Sequence, residues 1–259
     1  MRKLKLFGQH FLKHPHIAER IAHSLQLTDV ERATVVEIGP GQGILTQFLH
    51  GRPDVDLYVV EIDNRLPEFL LQKFPALKGH IIEGDVLKVH FEDYIGQQPF
   101  WLIGNFPYNI SSQILFKALD YRHQVRQVVG MFQKEVAQRI VAKEGNKQYG
   151  ILSVLLQAYF KTEYLFEVSP GSFDPPPKVQ SAVVRLTPTD EFAHLINNHK
   201  QFKQTVKQAF SQRRKMLRNA LHPLQFDFDR LPPALPQQRA EQISLTGFID
   251  LANAMITTA

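Results

Sequence analysis

The sequence predicts an α/β fold with a mainly parallel, doubly wound sheet, followed by a small all-helical domain. Over the first two thirds of the chain, short apolar runs alternate with stretches of helical apolar spacing, which is typical of strand–helix–strand units in a parallel sheet. After Thr187 the spacing becomes helical, interrupted by proline-rich loops. We therefore expect one domain over residues 1–187 and a helical domain over residues 188–259.

Apolar runs place the individual strands. Five are expected at 34–39, 57–61, 80–83, 100–104 and 125–132. Helical patterns are expected at 45–50, from the end of the second strand to residue 74, and at 133–142. Two later runs, at 161–168 and 182–186, predict an antiparallel pair at the edge of the sheet.

Composition limits the classes of protein to be considered. The chain has 259 residues, 44% of them hydrophobic, which is enough for a sizeable core. No apolar run reaches the roughly 18 residues of a membrane span, and the basic N-terminus lacks the apolar stretch of a signal peptide. Cysteine is absent, which excludes disulfides and thiolate metal sites. We expect a cytoplasmic, monomeric protein without a metal, and the net charge of +5 slightly favours a polyanionic partner.

A glycine-rich turn follows the first predicted strand of the sheet, at Gly39-Pro-Gly41-Gln-Gly43. Such a turn lets the backbone approach a ligand closely and points helix N–H groups at it, although a tight structural turn would have the same residues. A dinucleotide fingerprint would require a third glycine where Ile44 stands. A cofactor with a pyrophosphate, as in a nicotinamide dehydrogenase, is therefore disfavoured.

Acidic residues end the next two strands. Glu61 lies 20 residues after Gly41, where a carboxylate can accept hydrogen bonds from both ribose hydroxyls. Asp85 follows the third strand, where it can accept one from an adenine amino group. Either acid alone would be an ordinary solvated strand end. Together with the glycines they predict an adenosine cofactor without a pyrophosphate, and S-adenosylmethionine (SAM) fits best.

The fourth strand ends in Asn105-Phe-Pro-Tyr108, which resembles the Asn/Asp-Pro-Pro-Tyr motif of amino-group methyltransferases. The lone pair of adenine N6 is delocalised into the ring, and two acceptors that hold its N–H groups out of plane would localise it. The Asn105 side-chain oxygen and the Phe106 carbonyl are the candidates, and Pro107 restricts Phe106 to an extended conformation. Tyr108 offers a face for base stacking. The alternative is a strand end with a proline turn.

A target base in folded RNA must leave its stack to reach such a site, where a second aromatic side chain can hold it. Phe173 begins a proline run, Phe173-Asp-Pro-Pro-Pro-Lys178, that stiffens the loop. We predict Phe173 as the second stacking residue, while this segment alone would favour a rigid connector with a core phenylalanine.

Taken together, these segments resemble the KsgA family of small-subunit (16S) ribosomal RNA adenine dimethyltransferases, over essentially the whole chain. The segments that carry the resemblance are Phe7-Gly-Gln-His-Phe-Leu12, Val36-Glu-Ile-Gly-Pro-Gly41, Val60-Glu-Ile-Asp63, Gly84-Asp85, Gly104-Asn-Phe-Pro-Tyr-Asn-Ile-Ser111, Gln133-Lys-Glu135, Phe173-Asp-Pro-Pro-Pro-Lys-Val179 and Phe210-Ser-Gln-Arg-Arg-Lys-Met-Leu-Arg-Asn-Ala-Leu221.

The resemblance implies a Rossmann-like SAM-dependent methyltransferase that dimethylates N6 of two adjacent adenosines near the 3′ end of small-subunit rRNA, in an immature 30S particle. It implies cofactor contacts from the N-terminal segment and the strand ends, at Gln9, His10, Leu12, Gly39, Gly41, Glu61, Ile62, Asp85, Val86 and Asn105. It also supports Tyr108 and Phe173 as the stacking pair. His10 and His14 depart from the commoner Asn and acid of the family, and Phe106 from the commoner Leu; these changes do not imply lost activity.

Basic residues near the C-terminus are the candidate RNA contacts. If one helix is continuous there, Lys200, Lys203, Lys207, Arg214 and Arg218 fall within about 60° of one face. A break near Ser211 would scatter them, and a solvated helix face is the alternative. We predict phosphate contacts from Lys203, Lys207, Arg214 and Arg218, joined by Arg2, Lys3, Lys5 and Lys13.

Two further functions are compatible with the sequence. One is an assembly factor that binds the immature subunit, with catalysis secondary. The other is an Erm-type enzyme, which methylates a single adenine of large-subunit rRNA; the segment that begins at Phe210 favours the KsgA type.

Overall fold

A computed structural model describes residues 10–28 and 30–256. The predicted contact at Gln9 and the basic residues Arg2, Lys3 and Lys5 lie outside the described residues. The strands are β1 (Phe11–Leu12), β2 (Ala33–Ile38), β3 (Val55–Glu61), β4 (Ile81–Glu83), β5 (Phe100–Asn105), β6 (Val125–Gln133), β7 (Phe160–Val168), β8 (Phe173–Asp174) and β9 (Ser181–Pro188). The helices are α1 (Pro15–Ala22), α2 (Thr46–Leu49), α3 (Leu66–Lys73), α4 (Glu92–Ile95), α5 (Ser111–Asp120), α6 (Lys134–Val141), α7 (Ile151–Gln157), α8 (His199–Ser211), α9 (Leu217–Ala220) and α10 (Leu245–Asn253).

Seven strands form the main sheet, in the order β4-β3-β2-β5-β6-β9-β7. The strands from β2 to β6 are parallel, and β9 is antiparallel to β6. The predicted α/β class and the neighbouring position of β7 and β9 at the edge are confirmed. Because β2 has β3 on one side and β5 on the other, the strand order reverses there, which is where ligands bind in open parallel sheets.

A second, two-stranded sheet joins distant parts of the chain. β1 pairs with β8 in antiparallel register, with Leu12 opposite Phe173, and the Lys13 N–H donates to the Ser172 carbonyl at 2.9 Å. Neither strand was predicted from the sequence. β1 has two residues, so its apolar pattern carries no periodic signal.

The chain divides into two compact units. The sheet unit comprises Met1–Ala137 and Glu163–Pro188, and the helical unit comprises Gln138–Thr162 and Thr189–Ala259. The second boundary lies within one residue of the predicted one. The segment 138–162 was predicted in the first domain, whereas the structure groups it with the helical unit, because α7 packs against α8 and α10.

Of the two possibilities for the basic C-terminal segment, a continuous helix or a break near Ser211, the structure has the break. α8 begins after Asn198, whose side chain caps the N–H groups of Lys200 and Gln201, and it ends at Ser211. Gln212 leaves the helical conformation, and the next helix begins at Leu217. Lys203 and Lys207 therefore lie on a different element from Arg214 and Arg218, and the five cations do not form one stripe.

Within the part of the chain that the structure describes, no helix is long and apolar enough to cross a membrane. The same residues contain no group of three or more His, Cys, Asp or Glu side chains arranged to hold a metal ion.

Candidate active site

A cavity of about 550 Å³ opens at the carboxyl ends of β2, β3 and β5, in the sheet unit. This volume is within the usual range of about 300–1,000 Å³ for small-molecule sites. The predicted site residues that line it are His10, Leu12, Gly39, Gly41, Glu61, Ile62, Asp85, Val86, Asn105, Phe106, Pro107 and Tyr108. The fold therefore brings together residues that are up to 98 positions apart in the sequence (108 − 10).

The glycine-rich turn after β2 forms one wall of the cavity. Gly39 and Gly41 have φ of 67° and 56°, a conformation that side chains with a Cβ rarely adopt. A Cβ on Gly41 would lie 2.9 Å from the Phe11 ring, whereas none of the protein's described atoms lies within 4 Å of a Cβ built on Gly39. The turn at Gly39 thus leaves its backbone open to a ligand.

Glu61 connects the end of β3 to this turn. Its side chain is 5% exposed, and it accepts hydrogen bonds from the Gly41 N–H at 3.2 Å and the Asp63 N–H at 2.9 Å, one on each oxygen. Burial raises the pKa of Glu61, and hydrogen bonds from the backbone of Asp63, Gly41 and Ile62 oppose that shift. Each carboxylate oxygen retains lone-pair capacity for a further donor.

Glu37, at the end of β2, is a cavity residue that the sequence analysis did not single out. Its side chain is 1% exposed and accepts a hydrogen bond from the Thr46 hydroxyl at 2.8 Å. Burial raises the pKa of Glu37 to about 8, Thr46 opposes the shift, and the nearby charge of Glu61 adds to it. An acidic residue within a buried and mainly apolar strand was the signal that could have identified it.

The loops after β3 and β4 provide an apolar wall and an acid. Ile62 lines the cavity with 48% of its surface exposed, and Val86 lines it from the loop after β4. One carboxylate oxygen of Asp85 accepts the Leu87 N–H at 2.9 Å, which fixes this loop and leaves the other oxygen for a ligand.

Asn105, at the end of β5, has its amide oriented by the N-terminal segment. Its Nδ2 donates to the His10 backbone carbonyl at 3.0 Å. Because the nitrogen is used in this way, the Oδ1 atom remains as the acceptor that Asn105 can present. The pairing of β1 with β8 holds His10 in place, and the His10 ring nitrogen Nδ1 lies 2.7 Å from the Pro175 carbonyl, to which it donates.

Phe106 directs its side chain away from solvent into the core. Its ring packs edge-on against Phe132, with the ring centroids 5.3 Å apart. Carbons built on Gly104 and Gly130 would lie 2.8 Å and 2.4 Å from the Phe106 ring. The two glycines thus make room for the ring, which anchors the backbone carrying the Phe106 carbonyl.

Tyr108 is held at three points. Its hydroxyl lies 2.5 Å from the buried Ser181 hydroxyl, its carbonyl accepts from Ser111 at 3.2 Å, and its ring lies against that of His10, with centroids 5.5 Å apart and planes at 28°. Burial raises the pKa of Tyr108, and the hydrogen bond with Ser181 opposes the shift. Neither the role of Ser181 nor the ring contact with His10 was predicted from the sequence.

The structure does not bring Phe173 to the cavity, which corrects its predicted role. Its side chain is 0% exposed and belongs to the hydrophobic core. Successive residues of a strand point to opposite sides, and here the next residue, Asp174, lines the cavity. Phe173 therefore anchors β8 to the hydrophobic core, and neither face of its ring is free to stack with a base.

The four predicted RNA contacts lie in the helical unit. Lys207, Arg214 and Arg218 are exposed, and Lys203 is half-buried. The neighbouring Arg213 is used internally: its guanidinium donates to the Lys147 carbonyl at 2.9 Å and to Glu241 at 3.4 Å.

Comparison with known proteins identifies the family. The sequence model of the ribosomal RNA adenine dimethylase family matches residues 1–241. The chain belongs to this family. It is 48% identical to the ribosomal RNA small subunit methyltransferase A of Cytophaga hutchinsonii, over 97% of this chain and 96% of the relative. It is 51% identical to the protein of the same name from Parabacteroides distasonis, over 95% of this chain and 91% of the relative.

Solved structures of similar fold extend the comparison. A dimethyladenosine transferase from Plasmodium falciparum is 25% identical with a TM-score of 0.76, over 95% of this chain and 99% of the other. The 23S rRNA methyltransferase ErmE, at 24% identity, has a TM-score of 0.71 over the same shares, which shows the common fold.

Membership of the ribosomal RNA adenine dimethylase family agrees with the predicted resemblance, and the structure explains two departures from it. His10, in place of the commoner Asn, keeps a hydrogen-bond donor, now directed at the Pro175 carbonyl. Phe106, in place of the commoner Leu, is accommodated over Gly104 and Gly130.

Proposed function

We propose that this chain uses SAM to dimethylate N6 of two adjacent adenosines near the 3′ end of small-subunit rRNA. The observation that carries the proposal is the Asn105 amide, whose nitrogen is bonded to the His10 carbonyl and whose oxygen is left as an acceptor beside Tyr108. Membership of the ribosomal RNA adenine dimethylase family supports the same reaction.

The residues of the cavity fit an adenosine cofactor with an amino-acid tail. Glu61 would accept from the ribose hydroxyls, Asp85 from the adenine amino group, and Ile62 and Val86 would flank the adenine ring. The open backbone at Gly39 leaves room for the tail. When bound, SAM supplies a methyl group carried on a sulfonium.

The chain's own part in the reaction is to position the target amine. The Asn105 oxygen and the Phe106 carbonyl would each accept one N–H of adenine N6, which localises the nitrogen lone pair. Phe106 is anchored by its buried ring, so its carbonyl is held in a fixed place. Positioning of this kind is the main catalytic contribution we assign to the protein.

The target base would leave its stack and rest against Tyr108. Stacking on an aromatic side chain contributes about 1–3 kcal/mol per base. The hydrogen bond between the Tyr108 and Ser181 hydroxyls restrains the ring before the base arrives, and the bond from Ser111 to the Tyr108 carbonyl restrains the backbone. Both lower the entropy cost of stacking.

We place the substrate in an immature 30S particle in the cytoplasm, held through phosphate contacts from exposed cations of the helical unit, among them Lys207, Arg214 and Arg218. A monomer suffices for the reaction, since one chain supplies both the cofactor wall and the Asn105 motif.

The test is methylation of under-methylated 30S particles with labelled SAM, followed by nuclease digestion and mass spectrometry. We expect N6,N6-dimethyladenosine at two adjacent positions near the 3′ end; its absence would overturn the proposal. An Asn105→Ala variant should lose about 10²-fold or more in kcat/KM, as expected when a reacting group is misplaced. If Asn105→Ala still binds particles, catalysis and a role as an assembly factor are separable.

A further inference from the structure

Two buried carboxylates, Glu37 and Glu61, line the cavity side by side on neighbouring strands. They are 1% and 5% exposed, and neither makes an ion pair with any residue that the structure describes. Burying an isolated charge is costly, and two neighbouring carboxylates disfavour each other's ionised form. The ligand-free protein therefore favours a proton on one of them.

Their hydrogen bonds decide which of the two carries the proton. Glu61 accepts from two backbone N–H groups, which stabilise its charged form. Glu37 has a single hydroxyl donor, Thr46, and is the more deeply buried. The pKa of Glu37, raised by burial to about 8, agrees with this assignment.

We infer that Glu37 holds a proton in the ligand-free protein and releases it to solvent when SAM binds, so that Glu37 selects the cationic methyl donor over its neutral product. The inference rests on the proposed function, because it takes SAM as the ligand of this cavity. SAM and its product S-adenosylhomocysteine share the ribose, the adenine and the amino-acid tail, and they differ by the sulfonium charge. In a cavity of low dielectric, a carboxylate that becomes ionised on binding favours the ligand with that charge.

Other charged groups also line the cavity, and the experiment must distinguish their titration from that of Glu37. They are Glu61 on β3, Asp85 after β4, Lys73 on α3, His10 and Lys13 on the N-terminal segment, and Asp174 on β8. The Lys73 ammonium is held at the rim by the Gln42 carbonyl, at 3.0 Å. A Glu37→Gln variant leaves all of these in place and keeps a side chain of the same shape.

The test is calorimetric titration of wild-type protein and Glu37→Gln with SAM and with S-adenosylhomocysteine, between pH 6 and 9, in buffers of different ionisation enthalpy. At pH 7 we expect wild type to release close to one proton on binding SAM, and clearly less on binding the product. As the pH rises, the dissociation constant of wild type for SAM should fall by up to about tenfold per pH unit, and above pH 8 it should become constant. The ligand amino group, with a pKa of roughly 7.7–8.0, titrates in this range but is common to both ligands and both proteins.

Glu37→Gln should remove the additional proton release and reduce the preference for SAM over the product by about tenfold at pH 8.5. Equal proton release by both proteins, or an unchanged preference, would overturn the inference. If the variant does not fold, infrared difference spectra of wild type provide the test. The carboxylic acid band should disappear when SAM binds, and a band that persists would overturn the inference. SAM binding without proton release overturns this inference alone, whereas a wild-type protein that does not bind SAM overturns the proposed function as well.

Discussion

Tyr108 shows how a single side chain is prepared for a ligand in advance of binding. A tyrosine on a loop would rotate among several rotamers, and fixing it upon binding would cost free energy. Here Ser181 holds the hydroxyl, Ser111 holds the carbonyl, and the His10 ring restricts one face. The hydrogen bond to Ser181 is the part of this arrangement that single substitutions can remove.

We predict that Ser181→Ala and Tyr108→Phe each lower kcat/KM for 30S particles by about 2- to 10-fold, the equivalent of one neutral hydrogen bond. The double variant should be no worse than either single one, because removing both partners leaves no unsatisfied group. Steady-state kinetics measure this coupling, and SAM affinity, measured in parallel, should not change. Additive losses in the double variant would show that the two hydroxyls act separately.

Phe106 contributes to the site through the packing of its side chain. Its ring fills the space above Gly104 and Gly130, where a Cβ would overlap it. The identity of residue 130 on β6 therefore helps to set the position of a carbonyl on the adjacent strand end.

We predict that Gly130→Ala lowers the free energy of unfolding by about 1–3 kcal/mol, the usual cost of overpacking. The midpoint temperature of thermal unfolding should fall by roughly 2–4 °C for each kcal/mol of free energy lost. Adding Phe106→Leu, a smaller side chain, should recover part of the loss. The matched control is Gly171→Ala, because a Cβ at Gly171 meets no described atom within 4 Å and its φ is not positive; an equal loss in the control would contradict this account.

Among the elements, the two-stranded sheet of β1 and β8 has the largest influence on the site. It places His10 against both Asn105 and Tyr108, and it turns Asp174 toward the cavity and Phe173 away from it. Its two strands are 161 residues apart in the sequence (173 − 12), so no local pattern could have predicted the pairing.

The end of α8 has a corresponding effect on the helical unit. Because the helix stops at Ser211, Arg214 and Arg218 are carried by the turn and short helix that follow, and not by the face that presents Lys207. The exposed cations thus form two groups, which substitutions can test separately.

We predict that Arg214→Gln combined with Arg218→Gln weakens binding to 30S particles. The slope of log affinity against log salt should become shallower by about 1 for each phosphate group that the variant no longer neutralises. Filter binding at several salt concentrations measures the slope. Arg230→Gln is the control of the same type, since the Arg230 guanidinium is paired with Asp227 at 2.8 Å. An equal loss of binding in Arg230→Gln would indicate a general effect of net charge and not a specific RNA-binding surface.

For the whole molecule, the buried acid at the cavity links stability to pH. Burial raises the pKa of Glu37 in the folded protein to about 8, whereas the pKa of an unfolded glutamate is 4.5. The stability contributed by this proton is fully present below the unfolded pKa and is lost as the pH rises toward about 8.

We therefore predict that, without ligand, wild-type protein loses stability relative to Glu37→Gln as the pH rises from 5 to 8.5. Chemical denaturation at each pH measures the difference, with the glutamine variant as a side chain that stays neutral throughout. A constant difference between the two proteins across this range would show that Glu37 is ionised in the folded state.

The sequence by itself determined the strands of the main sheet and the residues at their ends. The glycines, Glu61, Asp85 and Asn105 were found because a parallel sheet gathers its strand ends at one edge, and each strand is recognisable from its own apolar run. Phe173 was assigned the wrong orientation, and Ser181 and Glu37 were missed as members of the site. Only the tertiary structure decided these, because the direction of a side chain in a two-residue strand and the charge state of a buried acid depend on neighbours far away in the chain.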